Sequence, residues 1–467
     1  MQPADTLLTA FLTGEAATPG LAAAAAVGVA ADIAAALSAE AAWIDGEGAF
    51  PVESLQLLRD CGLLAAPLPE QHGGAGLGEP RFRLQLLHVL AHLGRGSLPV
   101  GRIYEGHVNA LALIEAFAEG PQAETLFNDA KAGHLFSVWN TEAGDGLRMG
   151  ARRAGRLPLE GSKTFASGAG FVSRALVTAR DPEGGWQMAV VPVDTTSPAI
   201  DRSFWKPLGM RASASYKVDF TGLALGHDDL LGQPGDYYRE PAFGAGAVRF
   251  AAVQQGGVEA IFDETRHFLR RIGRTVDPFQ RARIGEMAML VESGRQWLRG
   301  AAHQALTASR ALRAESGDGV SAVAHAHLMR TAIETIALRV LQLAERCIGA
   351  RGLISPEPFE RLHRDLTHYL RQAAPDAAVA AAGEYALSRT EAAHELWSGF
   401  PIDPGAVAWN HCAARTALVP NVHAPWTRTP FPAVDPSRRR ATPIRTGRGS
   451  RTSPAASIWF AGNGEAT

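Results

Sequence analysis

The side chains best suited to acid–base chemistry gather late in the chain. His363, Arg364, Asp365 and His368 are close neighbours, and Asp376 and Glu384 follow. Each could move a proton if it stood about 3 Å from a reacting atom. Each also suits an ion pair or a helix surface. Just upstream runs Arg346-Cys-Ile-Gly349-Ala350-Arg351-Gly352. Small residues let a backbone come close to a cofactor, and the same glycine would also cap a helix. Arg346 could pair with a phosphate. Arg249, in Gly246-Ala-Val-Arg249, places a cation at a helix start. His88 and His92 have helical i, i+4 spacing but lack the intervening glutamate of a zinc protease helix. A Rossmann glycine fingerprint, a phosphate loop and a Ser-His-Asp set are not recognisable.

The elements that must position these residues fall into three compositional regimes and a tail. Residues 1–134 are Ala- and Leu-rich, with apolar spacings such as Leu55, Leu58 and Leu84, Leu87, Val89, Leu90 that predict helices. Residues 135–243 carry short apolar runs bounded by Gly, Pro and Asp, which predict a small β-barrel or sandwich. From 244 to 398 the helical period returns, with Ile333, Ile336, Val340, Leu343 and Cys347 forming one stripe. Residues 399–467 are rich in Pro, Arg, Gly, Ser and Thr and predict a mostly disordered tail, in which Trp459 and Phe460 could dock locally. The expected fold class is α+β, multidomain and mainly α. It has an N-terminal helical domain, a central β-barrel-like domain and a C-terminal four-helix bundle.

Composition narrows the function. A net charge of −2 over 467 residues gives no bias toward nucleic acid. Three scattered cysteines fit a reducing cytoplasm rather than a disulfide scaffold, and form no metal-binding spacing. The Ala-rich run from Leu21 to Leu37 has no basic residue before it and contains Asp32, so it predicts an ordinary helix rather than a signal or a membrane span.

The order helical, β, helical resembles the acyl-CoA dehydrogenase family over roughly residues 40–398, and local motifs agree. Pro69-Glu-Gln-His-Gly73-Gly74 resembles an early loop of that family. Gly161-Ser-Lys163-Thr-Phe165-Ala166-Ser167-Gly168 resembles its Gly-x-Lys-x-Trp-x-Thr-Asn-Gly run, and Leu208-Gly-Met-Arg211 its late β segment. The resemblance implies FAD between the β unit and the bundle. Phe165 would pack on the flavin ring, and Ala166 and Ser167 would bring a hydroxyl to the atom that accepts a hydride. Trp139, Asn140 and Thr141 would form the first contacting segment, and Arg346, Gly349 and Ala350 a later one. It also implies a homodimer or homotetramer. The usual catalytic glutamate is missing: Ala373 occupies the matching place, and Val248 a second known place. Asp376 is the substitute base to test, with Arg249 beside the substrate.

Three functions follow from that resemblance. The first is a FAD-dependent oxidoreductase acting on an acyl-CoA or related acyl substrate, with electron-transfer flavoprotein or oxygen as acceptor. The second is a flavin-dependent monooxygenase or oxidase on the same scaffold, which does not need the missing glutamate. The third is a non-catalytic paralogue that binds an acyl group or a partner.

Overall fold

The structure is a computed structural model. It describes residues 22–397, apart from 47–48, 241–242, 314–318, 372–373 and 394–395. Two compact units divide at Asp403, and everything described lies in the first. The expected tail, with Trp459 and Phe460, falls outside the described residues, as does Ala373.

Five helices come first: α1 (Ala23–Trp43), α2 (Val52–Asp60), α3 (Arg83–Gly96), α4 (Leu98–Phe117) and α5 (Gly120–Lys131). Among the described residues α1 alone is long and apolar enough to cross a membrane. Its Ala23, Ala26, Ala30, Ala34 and Leu37 recur every three or four residues and are buried against α3. Gly96 makes that approach possible, because a Cβ there would sit 2.7 Å from the Ala34 carbonyl oxygen. Ser97 caps α4 by accepting from the Val100 amide, and Pro99 occupies the first turn, where no amide is needed.

The strands are β1 (Phe136–Trp139), β2 (Arg148–Met149), β3 (Leu157–Glu160), β4 (Ser162–Ala166), β5 (Arg174–Arg180) and β6 (Trp186–Pro192). After the short helix α6 (Val193–Thr196) come β7 (Ala199–Asp201), β8 (Tyr216–Asp219), β9 (Ala224–Leu225) and β10 (Leu230–Leu231). They make two sheets rather than the expected barrel. The larger runs β10-β6-β5-β2-β3-β9, with β1 also on β5, and the smaller runs β4-β8-β7. A barrel needs its outermost strands to pair. Here the two-residue strands β10 and β9 end opposite edges of the larger sheet. Both β1 and β2 run parallel to β5, so that sheet is mixed and open.

The last helices are α7 (Ala247–Arg271), α8 (Pro278–Arg313), α9 (Gly319–Ile348), α10 (Pro358–Tyr369) and α11 (Pro375–Ser388). Helices α7, α8 and α9 pack on one another, α11 packs on α9 and α10 on α7, so five described helices stand where a four-helix bundle was expected. Helix α3 also packs along α7. Glycines bring those two together. A Cβ on Gly256 would lie 2.0 Å from the Ala91 carbonyl oxygen, and one on Gly94 2.3 Å from that of Val253. Gly101, in the first turn of α4, meets the Val253 side chain at 2.6 Å in the same way.

Candidate active site

Strand β4 is buried at Ser162, Lys163, Thr164 and Ala166, and open at Phe165. A register shift between Lys163 and Ala166 and a φ of 52° at Phe165 turn this ring outward, half exposed. Its two aromatic neighbours stand perpendicular to it. Phe204 lies 5.3 Å away and Trp205 6.0 Å, both near 90°. The Trp205 indole donates to the Arg211 carbonyl (3.1 Å), and its ring meets His368, at the end of α10, at 5.4 Å and 86°. Burial lowers the His368 pKa, so the imidazole is neutral near pH 7.

Ser167 follows directly and is buried. Its carbonyl accepts from the Trp139 indole (3.0 Å) and the Ser137 hydroxyl (3.2 Å). Its hydroxyl begins a buried chain to Ser215 (2.9 Å) and on to Ser213 (2.8 Å).

Lys163, fully buried, holds β4 to the turn after β1. Its ammonium donates to the Asn140 carbonyl (3.0 Å), Glu142 (2.5 Å) and Thr178 (3.0 Å), using all three protons. Thr178 donates on to the Asn140 side chain (2.6 Å), and the Thr141 carbonyl accepts from the Thr164 amide (2.9 Å). Asn140 and Thr141 are thereby fixed from behind. Burial pulls the Lys163 pKa down, against the pull of Glu142. Lys163→Met keeps the stem's bulk but strands three acceptors. It is expected to cost about 2 kcal/mol, read by denaturant unfolding.

On α10, Arg364 and Asp365 form a clamp rather than a catalytic pair. Arg364 pairs with Glu360 and Asp45 and donates to the Leu208 carbonyl (3.0 Å). Asp365 accepts from the Met210 amide (2.6 Å). A Cβ on Gly209 would collide with the Arg364 carbonyl oxygen at 2.2 Å, so only glycine lets the helix sit this close. Burial raises the Asp365 pKa to about 6, with Arg361 opposing. His363 pairs with Glu345 (2.7 Å).

Asp376 stands exposed in the first turn of α11. Arg346, Gly349 and Ala350 are exposed at the end of α9, and no hydrogen bond or ring contact among the described residues joins them to β4. Arg271, at the end of α7, is paired with Glu357 (2.6 Å).

Arg249 enters a different group, one that the sequence motifs did not reveal. It donates to Asn109, Asn109 donates to Glu105, and Arg102 pairs with Glu105. Arg102, Glu105 and Asn109 share one face of α4, and Glu105 and Arg249 are buried. Tyr237 and Tyr369 face the same charges. Burial lowers the Arg249 pKa despite Glu105. For Arg102 burial is the largest single influence and lowers the pKa, but Glu105 together with Tyr369 and Tyr237 raises it overall. Arg83 is pushed down to about 10, by burial and by the like charge of Arg249. A separate recess of about 460 Å³ opens beside Trp139, Val172, Thr195, Ser197 and Val218.

Residues 24–133 match the family model described as acyl-CoA dehydrogenase, N-terminal domain, and the chain has the fold of the acyl-CoA dehydrogenase superfamily. It resembles several solved structures in fold. The FMN-bound dibenzothiophene monooxygenase TdsC from Paenibacillus sp. A11-2 is 19% identical with a TM-score of 0.70, over 80% of this chain and 100% of that one. KijD3, solved with FMN and a dTDP-linked amino sugar, is 20% identical with a TM-score of 0.71, over 83% and 98%. The methanesulfinate monooxygenase MsuC from Pseudomonas fluorescens is 21% identical with a TM-score of 0.67, over 80% and 99%. TdsC and KijD3 correct the cofactor expectation: the flavin in their structures is FMN, not FAD.

Proposed function

We propose that the chain is an FMN-dependent oxidoreductase that oxygenates a small organic molecule, the second of the functions implied by its sequence. The carrying observation is the Phe165–Trp205–His368 face. A non-glycine residue at positive φ costs about 1–3 kcal/mol, and here that strain holds a large apolar ring open to solvent. Such a ring fits the flat face of a flavin, and FMN, when bound and reduced, would supply the electrons for oxygen chemistry. Phe165 and Trp205 would wall the ring from water. His368, neutral and free to accept or release a proton, stands behind Trp205. The Ser167–Ser215–Ser213 hydroxyls offer exchangeable protons beneath the strand end. Arg346, Gly349 and Ala350, exposed on α9, would touch a flavin only across a boundary between copies in a homo-oligomer.

The acyl-CoA dehydrogenase reading requires a free carboxylate beside the substrate. Asp376 is on the outer surface of α11, and Glu105 is held by Arg102 and Asn109. Both observations support oxygenation over dehydrogenation.

Titrating purified protein with FMN tests the proposal. The expected result is saturable binding with quenched flavin fluorescence, weakened about tenfold by Phe165→Ala, the scale of one lost aromatic contact. No FMN uptake, or equal affinity in the variant, would refute it.

A further inference from the structure

The charged group on α4 and α7 has more positive charge than a structural ion pair needs. Within it Arg102 and Arg249 face one carboxylate, Glu105, while Arg83 nearby is set against Glu115. Buried charges are normally matched and fully hydrogen-bonded. Two groups here are not. The Tyr369 hydroxyl is buried without a partner, and so is the Arg83 Nε. Tyr369 is 2% exposed, so the packing around its ring leaves it little room to turn away. The Arg102 side chain keeps 22% of its accessible surface while its partner Glu105 keeps 2%, so Arg102 is not packed on every side. A Cβ at Gly246 would already touch the Arg249 guanidinium at 3.4 Å, so glycine there keeps the start of α7 clear of it.

We propose that this cluster binds the anionic group of the substrate, a carboxylate or sulfinate, between the guanidinium groups of Arg102 and Arg249 and the hydroxyl of Tyr369. An oxyanion would balance the surplus cation and give the Tyr369 proton an acceptor. Glu105 and Asn109 hold the two guanidinium groups apart and oriented. Tyr369 directly follows His368, so the last turn of α10 carries one residue on the aromatic face and the next in the charged cluster. A substrate anchored by its anion there would lie beside the flavin face. The inference rests on the proposed oxygenation only for what becomes of the substrate.

The test therefore uses flavin-free protein and calorimetry. Benzoate and benzenesulfinate are the probes, and benzamide is the neutral control of equal shape. At constant ionic strength at least one anion should bind ten times more tightly than benzamide. Arg102→Gln should weaken it at least tenfold, and Tyr369→Phe about tenfold. Tyr369→Phe removes an oxygen that has no partner, so its melting temperature should match the parent's, and it reports even if the Arg102 variant does not fold. If both anions bind no better than benzamide, or if the phenylalanine variant binds them unchanged, the cluster is a structural ion-pair network and the proposal is wrong. FMN uptake by the same preparation, measured separately, shows whether the flavin assignment stands independently.

Discussion

Gly256→Ala is expected to be among the most damaging single changes in this chain, although it adds one methyl group. The new carbon would meet backbone atoms of α3, the Ala91 carbonyl oxygen at 2.0 Å and the Arg95 nitrogen at 2.6 Å, and backbone cannot rotate aside. Helices α3 and α7 would have to separate along a buried seam. Overpacking of this kind costs about 3 kcal/mol, which exceeds the ~1 kcal/mol that alanine gains over glycine in a helix. Gly285→Ala is the matched control. It lies in α8 with nothing within 4 Å of its missing Cβ, so the propensity gain should stand alone and stabilise by about 0.5–1 kcal/mol. Urea unfolding of both variants checks the opposite signs. Equal effects would show that the seam is looser than drawn.

The second large effect is a pH dependence seated at Asp365. Its folded pKa of about 6 lies above the ~3.9 of a free aspartate. The native state therefore keeps a proton that the unfolded chain has already released. The resulting stabilisation is complete below about pH 4 and is lost as the pH rises through 6, a difference of about two pH units or ~3 kcal/mol. Asp365→Asn keeps an acceptor for the Met210 amide and cannot ionise. It should flatten this part of the profile and leave the protein about 2–3 kcal/mol more stable than the parent at pH 8, with little difference near pH 4. Parallel profiles for the two proteins would remove Asp365 as the source.

Much of the fold was legible in the sequence, because long apolar periods survive into the structure. The stripe from Ile333 to Cys347 is buried on α9, and Met287, Val291 and Leu298 are buried on α8. The β region was legible only as strands. Its open, mixed sheet depends on β1 and β2 both joining β5 in parallel, and such remote pairings leave no local pattern. Strands of two residues, such as β9 and β10, leave almost none. The motif around Gly161–Gly168 pointed to Phe165, which the fold does hold open. The same motif hid the role of Lys163 as the tie between β4 and the turn after β1. The charged group was missed because Arg102, Glu105 and Asn109, spaced three and four apart, look like a solvated helix face. The available signal was that the rest of α4, with Leu98, Val100, Ile103, Tyr104, Val108, Leu111 and Ile114, is apolar on nearly every side. FAD was expected from the family's general habit, which no residue in this chain encodes.

The close approach of Gly94 and Gly101 to Val253, and of Gly256 to Ala91, has a bearing on substrate choice. Arg102 is the next residue after Gly101, and Arg249 is one helical turn before Val253, so both guanidinium groups are mounted on a joint that has no slack. Molecules of different girth cannot be accommodated by spreading those helices. Any tolerance must come from the short 3₁₀ turn Asp236–Tyr238 that carries Tyr237, and changes there should alter which compounds are accepted while leaving the grip on their charge intact.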